Sequence, residues 1–191
     1  MGVEASLTGH LVLSTLHTNS APESITRLMD MGMDPFNFAD ALLGILAQRL
    51  AKKLCDCKTS YVPDAEEFRL FVVEYSEELR HSKAWKADYD GESKKLVDGW
   101  IKTYGEDGHI KLYKAVGCDK CNKTGYKGRV GLHELLVADD GVKKLIQERA
   151  RVAELFASAV EGGMRTLKMD GMEKIMMGLT DLKMVRQVCI K

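Results

Sequence analysis

The sequence contains no long apolar run, and its first residues lack the pattern of a leader peptide. No stretch approaches the roughly 20 consecutive apolar residues that a membrane span requires. The first residues show no basic segment followed by an apolar segment and a cleavage site. These absences argue against a membrane-spanning or secreted chain, and we expect a soluble, cytosolic one.

Net charge is also lacking. Lys plus Arg and Asp plus Glu both number 28, so the formal net charge is +0. Such a chain exerts no overall electrostatic pull on nucleic acid or anionic lipid, and either partner would need a local patch. Aromatic residues, at 7%, are not interleaved with a basic stripe, which argues further against binding to nucleic acid. Hydrophobic residues make up 45% of the chain, which is enough to bury a core.

The cysteines are few, and their spacing is informative. Four of the 5 cysteines form two close pairs, Cys55-x-Cys57 and Cys118-x-x-Cys121. In a chain without a secretion signal, such pairs favour metal ligation over disulfides. Structural zinc is held tetrahedrally by four such ligands. We therefore predict one structural Zn²⁺ bound by these four cysteines, and we expect Cys189 to be a small buried apolar residue.

The first pair leaves alternatives open, because its C-x-C spacing is tighter than the usual spacing of zinc ligands. The four thiols could instead be reduced and unliganded, or a disulfide could form under oxidising conditions. Closing the loop between the pairs costs only a few kcal/mol, whereas a structural zinc contributes on the order of 10–16 kcal/mol. This comparison favours the metal, which would hold residues 58–117 to the rest of the protein.

Apolar patterns predict the elements of the first 54 residues. Residues 10–16 are apolar and β-branched, which is typical of a buried parallel strand with neighbouring strands on both sides. Ser20 predicts the N-cap of a helix that ends at Gly32. Asp34 predicts the start of a second helix, with apolar residues at helical spacing to about Leu54.

The rest of the chain predicts a mixed segment followed by helices. Asp64 predicts the cap of a helix through Arg80, and the polar residues 90–93 predict a break. Strands are predicted at 109–116 and 129–137, and helices at 140–149, 151–161, 166–177 and 180–190. The fold class is therefore α+β and mainly helical, divided into 1–54, 55–138 and 139–191.

Several segments resemble one protein family. They are LTGHLVLSTLHTN at 7–19, ITRLMDMG at 25–32, LAQRL at 46–50, GCDKCNKTGYKGRVGLHELL at 117–136 and GMRTLKMDG at 163–171. In this order they resemble the type II secretion ATPases and type IV pilus assembly ATPases. The resemblance covers nearly the whole chain except roughly residues 60–110.

The resemblance implies a RecA-like hexameric motor that uses ATP and Mg²⁺ at the cytoplasmic face of the inner membrane. Its implied partners are copies of itself and platform proteins of the secretion or pilus machine, with the membrane reached only through them. Residues 1–54 would be the C-terminal part of the RecA-like core, followed by a metal-binding subdomain and a helical bundle. The paired cysteines imply secretion or pilus assembly and not pilus retraction.

The phosphate-binding loop of that family, G-x-x-x-x-G-K-[ST], and its Walker B segment are missing from these 191 residues. Without backbone N–H groups around the phosphates and a Lys and Mg²⁺ on them, no preorganised site for phosphoryl transfer exists. We therefore expect the isolated chain to be inactive.

The resemblance assigns a catalytic role to His17, which matches the family's histidine box. A histidine there could donate a hydrogen bond toward the γ-phosphate, or it could be exposed and without a role. Arg27 and Arg49 could touch phosphate or a neighbouring subunit, although ordinary ion pairs with Asp30 or Asp40 are the simpler interpretation.

Two other functions fit the residues. The chain could be a stand-alone zinc-ribbon module, or an interaction module in which the segment between the cysteine pairs binds a membrane or cytoplasmic secretion partner. If the strand at 10–16 lacked neighbours, it would be disordered or would pair with another copy of itself.

Overall fold

The structure, a computed structural model, describes residues 2–189, with the exception of the side chain of His81. Over these residues the helices are α1 Gly2–Leu7, α2 Ala21–Asp30, α3 Pro35–Ala41, α4 Ala65–Ser76, α5 Lys83–Ala87, α6 Tyr89–Tyr104, α7 Asp140–Gln147, α8 Val152–Glu161, α9 Leu167–Met176 and α10 Leu182–Val188. The strands are β1 Gly44–Leu54, β2 Thr59–Tyr61, β3 Leu112–Lys114 and β4 Tyr126–Val137. Strand β1 pairs with β4 and β2 pairs with β3, so the α+β class is confirmed.

Helix starts follow the capping residues that the sequence offers. Ser20 accepts a hydrogen bond from the Glu23 N–H at 3.3 Å, and α2 begins directly after it. Such side-chain oxygens satisfy backbone N–H groups that have no partner within the helix. The same device starts other helices, with N-caps at Asp34, Asp64, Asp139, Thr166 and Asp181.

The long helix predicted from Asp34 to Leu54 is wrong. Helix α3 ends at Ala41, and the following residues form strand β1. The Ala138 N–H donates to the Leu43 carbonyl at 3.0 Å, which begins the pairing with β4. Apolar residues four apart fit both a helical period and alternate positions of a strand, so pairing with β4 decides between them.

The strand predicted at 10–16 is also wrong. Residues 10–18, all of which the structure describes, form no regular secondary structure. Leu11 is 76% exposed and Leu13 is 88% exposed, so the segment is not buried. Its apolar pattern does not suffice for a strand, because a strand requires a backbone partner. Exchange of this segment between two copies remains a prediction.

Residues 58–117 form an insertion between the two cysteine pairs, and its two ends are joined by a short antiparallel strand pair. Thr59 pairs with Lys114 and Tyr61 with Leu112, which makes β2 and β3 antiparallel. Helices α4, α5 and α6 lie beyond this strand pair. The break predicted at 90–93 is wrong, because these residues lie in the first two turns of α6.

The chain divides into two compact units. The first contains residues 1–47 and 134–165, and the second contains residues 48–133 and 166–191. In the first unit, α3 packs on α7 and α2 on α8. Its buried carboxylate, Glu134, accepts a hydrogen bond from the Ala21 N–H at 2.8 Å, which joins β4 to the start of α2. The predicted division into three functional segments remains a prediction.

The second unit has a mixed aromatic and aliphatic core. The Trp100 ring packs edge-on against Tyr75 at 4.8 Å and Phe71 at 5.8 Å between centroids. These insertion residues share the core with Leu132 and with methionines of α9 and α10. The insertion is therefore part of the fold of this unit and not an appendage.

Candidate metal centre

Four sulfur atoms converge in the second unit. The Sγ atoms of Cys55, Cys57, Cys118 and Cys121 all lie within 4.8 Å of one another. The Cys118–Cys121 separation is 3.8 Å, Cys55–Cys118 is 3.9 Å and Cys57–Cys121 is 4.0 Å. All four are free thiols. The structure thus brings together the four cysteines that the sequence singled out.

These separations fit a tetrahedral metal site. With metal–sulfur bonds of about 2.3 Å, the sulfurs of a regular tetrahedron lie about 3.8 Å apart. A disulfide would instead require the two sulfurs to be about 2.05 Å apart. The four thiols can therefore hold one metal ion.

The second pair is braced by its own turn. Residues Asp119–Cys121 form a short 3₁₀ helix, and Asn122 and Lys123 follow with φ of 51° and 61°. This turn aims the Cys118 N–H at the Cys121 sulfur at 3.1 Å, and the Gly125 N–H reaches the same sulfur at 3.2 Å. These donors lower the pKa of Cys121 to about 6. The thiolate form, which binds metal, is thereby favoured.

Gly125 joins the two pairs. While its N–H donates to Cys121, its carbonyl accepts from the Cys55 N–H at 2.9 Å. The residue has φ of +79°, and a Cβ at this position would lie 2.6 Å from the Cβ of Ala115. Only glycine fits both the conformation and the space.

The first pair has fewer donors of its own. The Gly117 N–H favours the thiolate of Cys57, but burial and the three neighbouring cysteine side chains outweigh it and raise its pKa to about 11. The Lys58 N–H donates to the Cys55 carbonyl at 3.0 Å and closes a turn over the pair. The groups around Cys57 therefore favour its thiolate less than the N–H donors around Cys121 favour that one.

The donor set determines the chemistry available. Four cysteine ligands complete a tetrahedron and leave no open position for water or substrate, which is typical of structural zinc and not of catalytic zinc. Lys123 and Asp119, which lie near the second cysteine pair in sequence, form an exposed ion pair at 2.7 Å. The charges of these two side chains therefore partly cancel.

The candidate catalytic residue His17 is placed elsewhere. It lies exposed in the irregular segment 10–18 of the first unit, and its carbonyl accepts a hydrogen bond from Arg27 at 3.1 Å. The other predicted arginine, Arg49, donates to the carbonyl of its neighbour Gln48 at 3.5 Å. Arg27 therefore contacts the backbone of the segment that carries His17.

The sequence did not predict one contact near the cysteines, that between Lys58 and Gly178. The Lys58 ammonium donates to the Gly178 carbonyl at 2.5 Å. A lysine directly after a cysteine pair and a glycine after a helix are visible in the sequence, but their 120-residue separation gives no local signal that they meet.

Comparison with known proteins assigns the sequence of the chain to a family. The family model described as type II/IV secretion system protein matches residues 1–187. The chain belongs to the type II/IV secretion system protein family.

Characterised members of the type II/IV secretion system protein family are similar over nearly all of this chain. It is 39% identical over 186 residues to the type IV pilus assembly ATPase PilB of Thermus thermophilus, covering 97% of this chain and 18% of that protein. It is 39% identical over 189 residues to the type II secretion system ATPase E of Vibrio cholerae, covering 98% and 31%. It is 40% identical over 190 residues to the type II secretion system protein E of Dickeya dadantii, covering 98% and 31%. The chain thus spans less than a third of the length of these relatives.

Among the helices of residues 2–189, none has the length and apolar character needed to cross a bilayer.

Proposed function

We propose that this chain is a region of an ATPase that drives type II protein secretion or type IV pilus assembly. The supporting observation is that relatives named as such ATPases align with 97–98% of the chain, together with the convergence of its four cysteines. The proposal includes a hexamer that uses ATP and Mg²⁺ at the cytoplasmic face of the inner membrane, in contact with the platform proteins of its machine.

The metal of this region is Zn²⁺ in a structural role. Four thiolates suit a soft or borderline ion, and zinc in structural sites is almost always four-coordinate and tetrahedral. Zinc supplies no step of ATP hydrolysis here. It fixes the two ends of the insertion, because Cys57 and Cys118 directly flank residues 58–117.

Phosphate chemistry would come from residues outside this stretch. The 191 residues contain no G-x-x-x-x-G-K-[ST] segment, so the backbone cradle and the lysine needed for phosphoryl transfer are not among them. The contribution proposed for the exposed His17 is a hydrogen bond toward bound nucleotide in the assembled motor.

The test compares the purified 191-residue chain with an intact ATPase that carries it. We expect Mg²⁺-dependent ATP hydrolysis by the intact protein and none above background by the chain alone. His17→Ala in the intact protein is expected to lower kcat by about tenfold or more, while a surface control, His109→Ala, leaves it unchanged. Turnover by the chain alone, or an unaffected His17→Ala variant, would contradict these assignments.

A further inference from the structure

The loop Gly178–Thr180, which follows α9, contacts the residues on both sides of the first cysteine pair. The Leu54 N–H donates to the Leu179 carbonyl at 2.9 Å, and the Thr180 hydroxyl donates to the Lys52 carbonyl at 2.9 Å. Strand β1 is thus fixed to this loop on the residues directly before Cys55.

Lys58 fixes the other side of the same pair. Its ammonium donates to the Gly178 carbonyl at 2.5 Å and lies 4.9 Å from the centre of the Tyr113 ring. The carbonyl lies just beyond the C-terminal end of α9, where a cation is favoured by the helix dipole. Gly178 has φ of +67°, and a Cβ there would lie 3.0 Å from the Lys58 ammonium and 2.9 Å from the Tyr113 ring. The pocket for the lysine is therefore closely fitted.

The two cysteine pairs differ in what orients them. Cys118 and Cys121 share a turn whose own N–H groups reach the sulfur of Cys121. A C-x-C pair is one residue too short for that turn, and its bracing comes from distant segments. Lys58, which directly follows Cys57, can therefore determine the position of the Cys57 sulfur.

We propose that Lys58 is a positioning residue of the metal centre. By holding the Gly178 carbonyl and the Tyr113 ring, it orients Cys57 for ligation and keeps a positive charge beside a site that carries two net negative charges when four thiolates bind a divalent ion. This inference depends on the metal binding proposed above. Ligand-orienting partners of this kind typically change metal affinity by about 10–100-fold.

The experiment measures Zn²⁺ and Co²⁺ affinity of the full chain by competition with a chromophoric chelator, together with the visible spectrum of the Co²⁺ form. Lys58→Met is expected to bind both ions about 10–100-fold more weakly and to alter the Co²⁺ ligand-field bands. Lys58→Arg keeps the N–H donors and the charge and is expected to restore most of the affinity. The matched control is Lys53→Met, which removes an exposed lysine at a similar distance in sequence from Cys55.

The outcomes separate this inference from the metal site itself. If the wild-type chain binds neither ion, the metal proposal fails, and this one fails with it. If the wild type binds and Lys58→Met binds within twofold of it with the same spectrum, only the role of Lys58 is overturned. A lysine that merely stabilises the fold would lower the melting temperature of the metal-free chain and leave the Co²⁺ spectrum unchanged, which also overturns the proposal.

A second variant changes the other partner of the Lys58–Gly178 contact. Gly178→Ala leaves Lys58 in place but crowds its ammonium, and it is expected to weaken metal binding as well. If Lys58→Met does not fold, Gly178→Ala decides the question, and wild-type affinity in a folded Gly178→Ala chain would refute the inference.

Discussion

The hydroxyl of Tyr75 donates a hydrogen bond to the carboxylate of Glu173 at 2.8 Å, across 98 residues of chain. Tyr75 belongs to α4 of the insertion and Glu173 to α9, and both side chains are buried. A second tyrosine of the insertion, Tyr104, reaches the other carboxylate oxygen at 3.3 Å. The insertion is therefore held by α9 as well as by the cysteines at its two ends.

We expect Tyr75→Phe to destabilise the second unit by about 1.5–3 kcal/mol, because a buried carboxylate loses a charged hydrogen bond. Urea unfolding at neutral pH measures this difference. Tyr61→Phe is the matched control, since the Tyr61 hydroxyl bonds Glu67 in an exposed position at 2.6 Å. The control should cost under about 0.5 kcal/mol, and equal losses in the two variants would contradict a special role for Tyr75.

An ion pair at the same junction predicts a pH dependence. Burial of Glu74 opposes its ionisation, but the hydrogen bonds and charges of Arg186 and Lys168 outweigh burial and hold the pKa of Glu74 below its ordinary value. Arg186 binds both carboxylate oxygens, at 3.1 and 2.6 Å. A lowered pKa in the folded state adds stability above the unfolded-state pKa, and this stability disappears as the pH falls through the folded-state value.

Glu74→Gln should therefore lower the free energy of unfolding at pH 7, by at most about 1 kcal/mol for such a partly exposed pair. As the pH is lowered from 7 the difference between the variant and the wild type should shrink, because the wild-type carboxylate takes up a proton as the pH falls through its lowered pKa. Urea unfolding at a series of pH values from neutral to acid measures this difference. A difference in unfolding free energy that stays the same or grows in acid would contradict a lowered pKa of Glu74.

Local signals in the sequence were sufficient for some of these features and insufficient for others. Helix starts at Ser20 and Asp64 were predictable because a cap and the N–H that it accepts lie three residues apart. Strand β1 was mistaken for a helix because the partner that decides its conformation, β4, lies far away in sequence. The convergence of the cysteines was predictable from their chemistry, whereas the contact of Lys58 with Gly178 follows only from the fold.

Gly125 offers a test of how the two cysteine pairs are joined. Gly125→Ala combines a left-handed backbone, which costs roughly 1–2 kcal/mol in a residue with a Cβ, with a 2.6 Å approach to Ala115. We expect a larger loss of stability than the backbone cost alone, and weaker zinc binding in chelator competition. Gly128→Ala is the matched control, because Gly128 also has φ of +79° but nothing lies within 4 Å of its added Cβ. If both variants lose the same stability and keep their zinc, Gly125 does not link the pairs.

Removal of the metal should separate the two attachments of the insertion. Chelation would remove the ion proposed to join Cys57 to Cys118, but it would leave the Tyr75–Glu173 bond and the packing of Trp100 in place. We expect hydrogen exchange to become about tenfold faster or more at residues 55–58 and 117–125, while α4 and α6 keep their protection. Cys57→Ser should reproduce this pattern without a chelator, and Cys189→Ser, outside the cluster, should behave as the wild type. Parallel loss of protection in α4 and α6 would mean that the metal alone holds the insertion and that the bond to Glu173 depends on it.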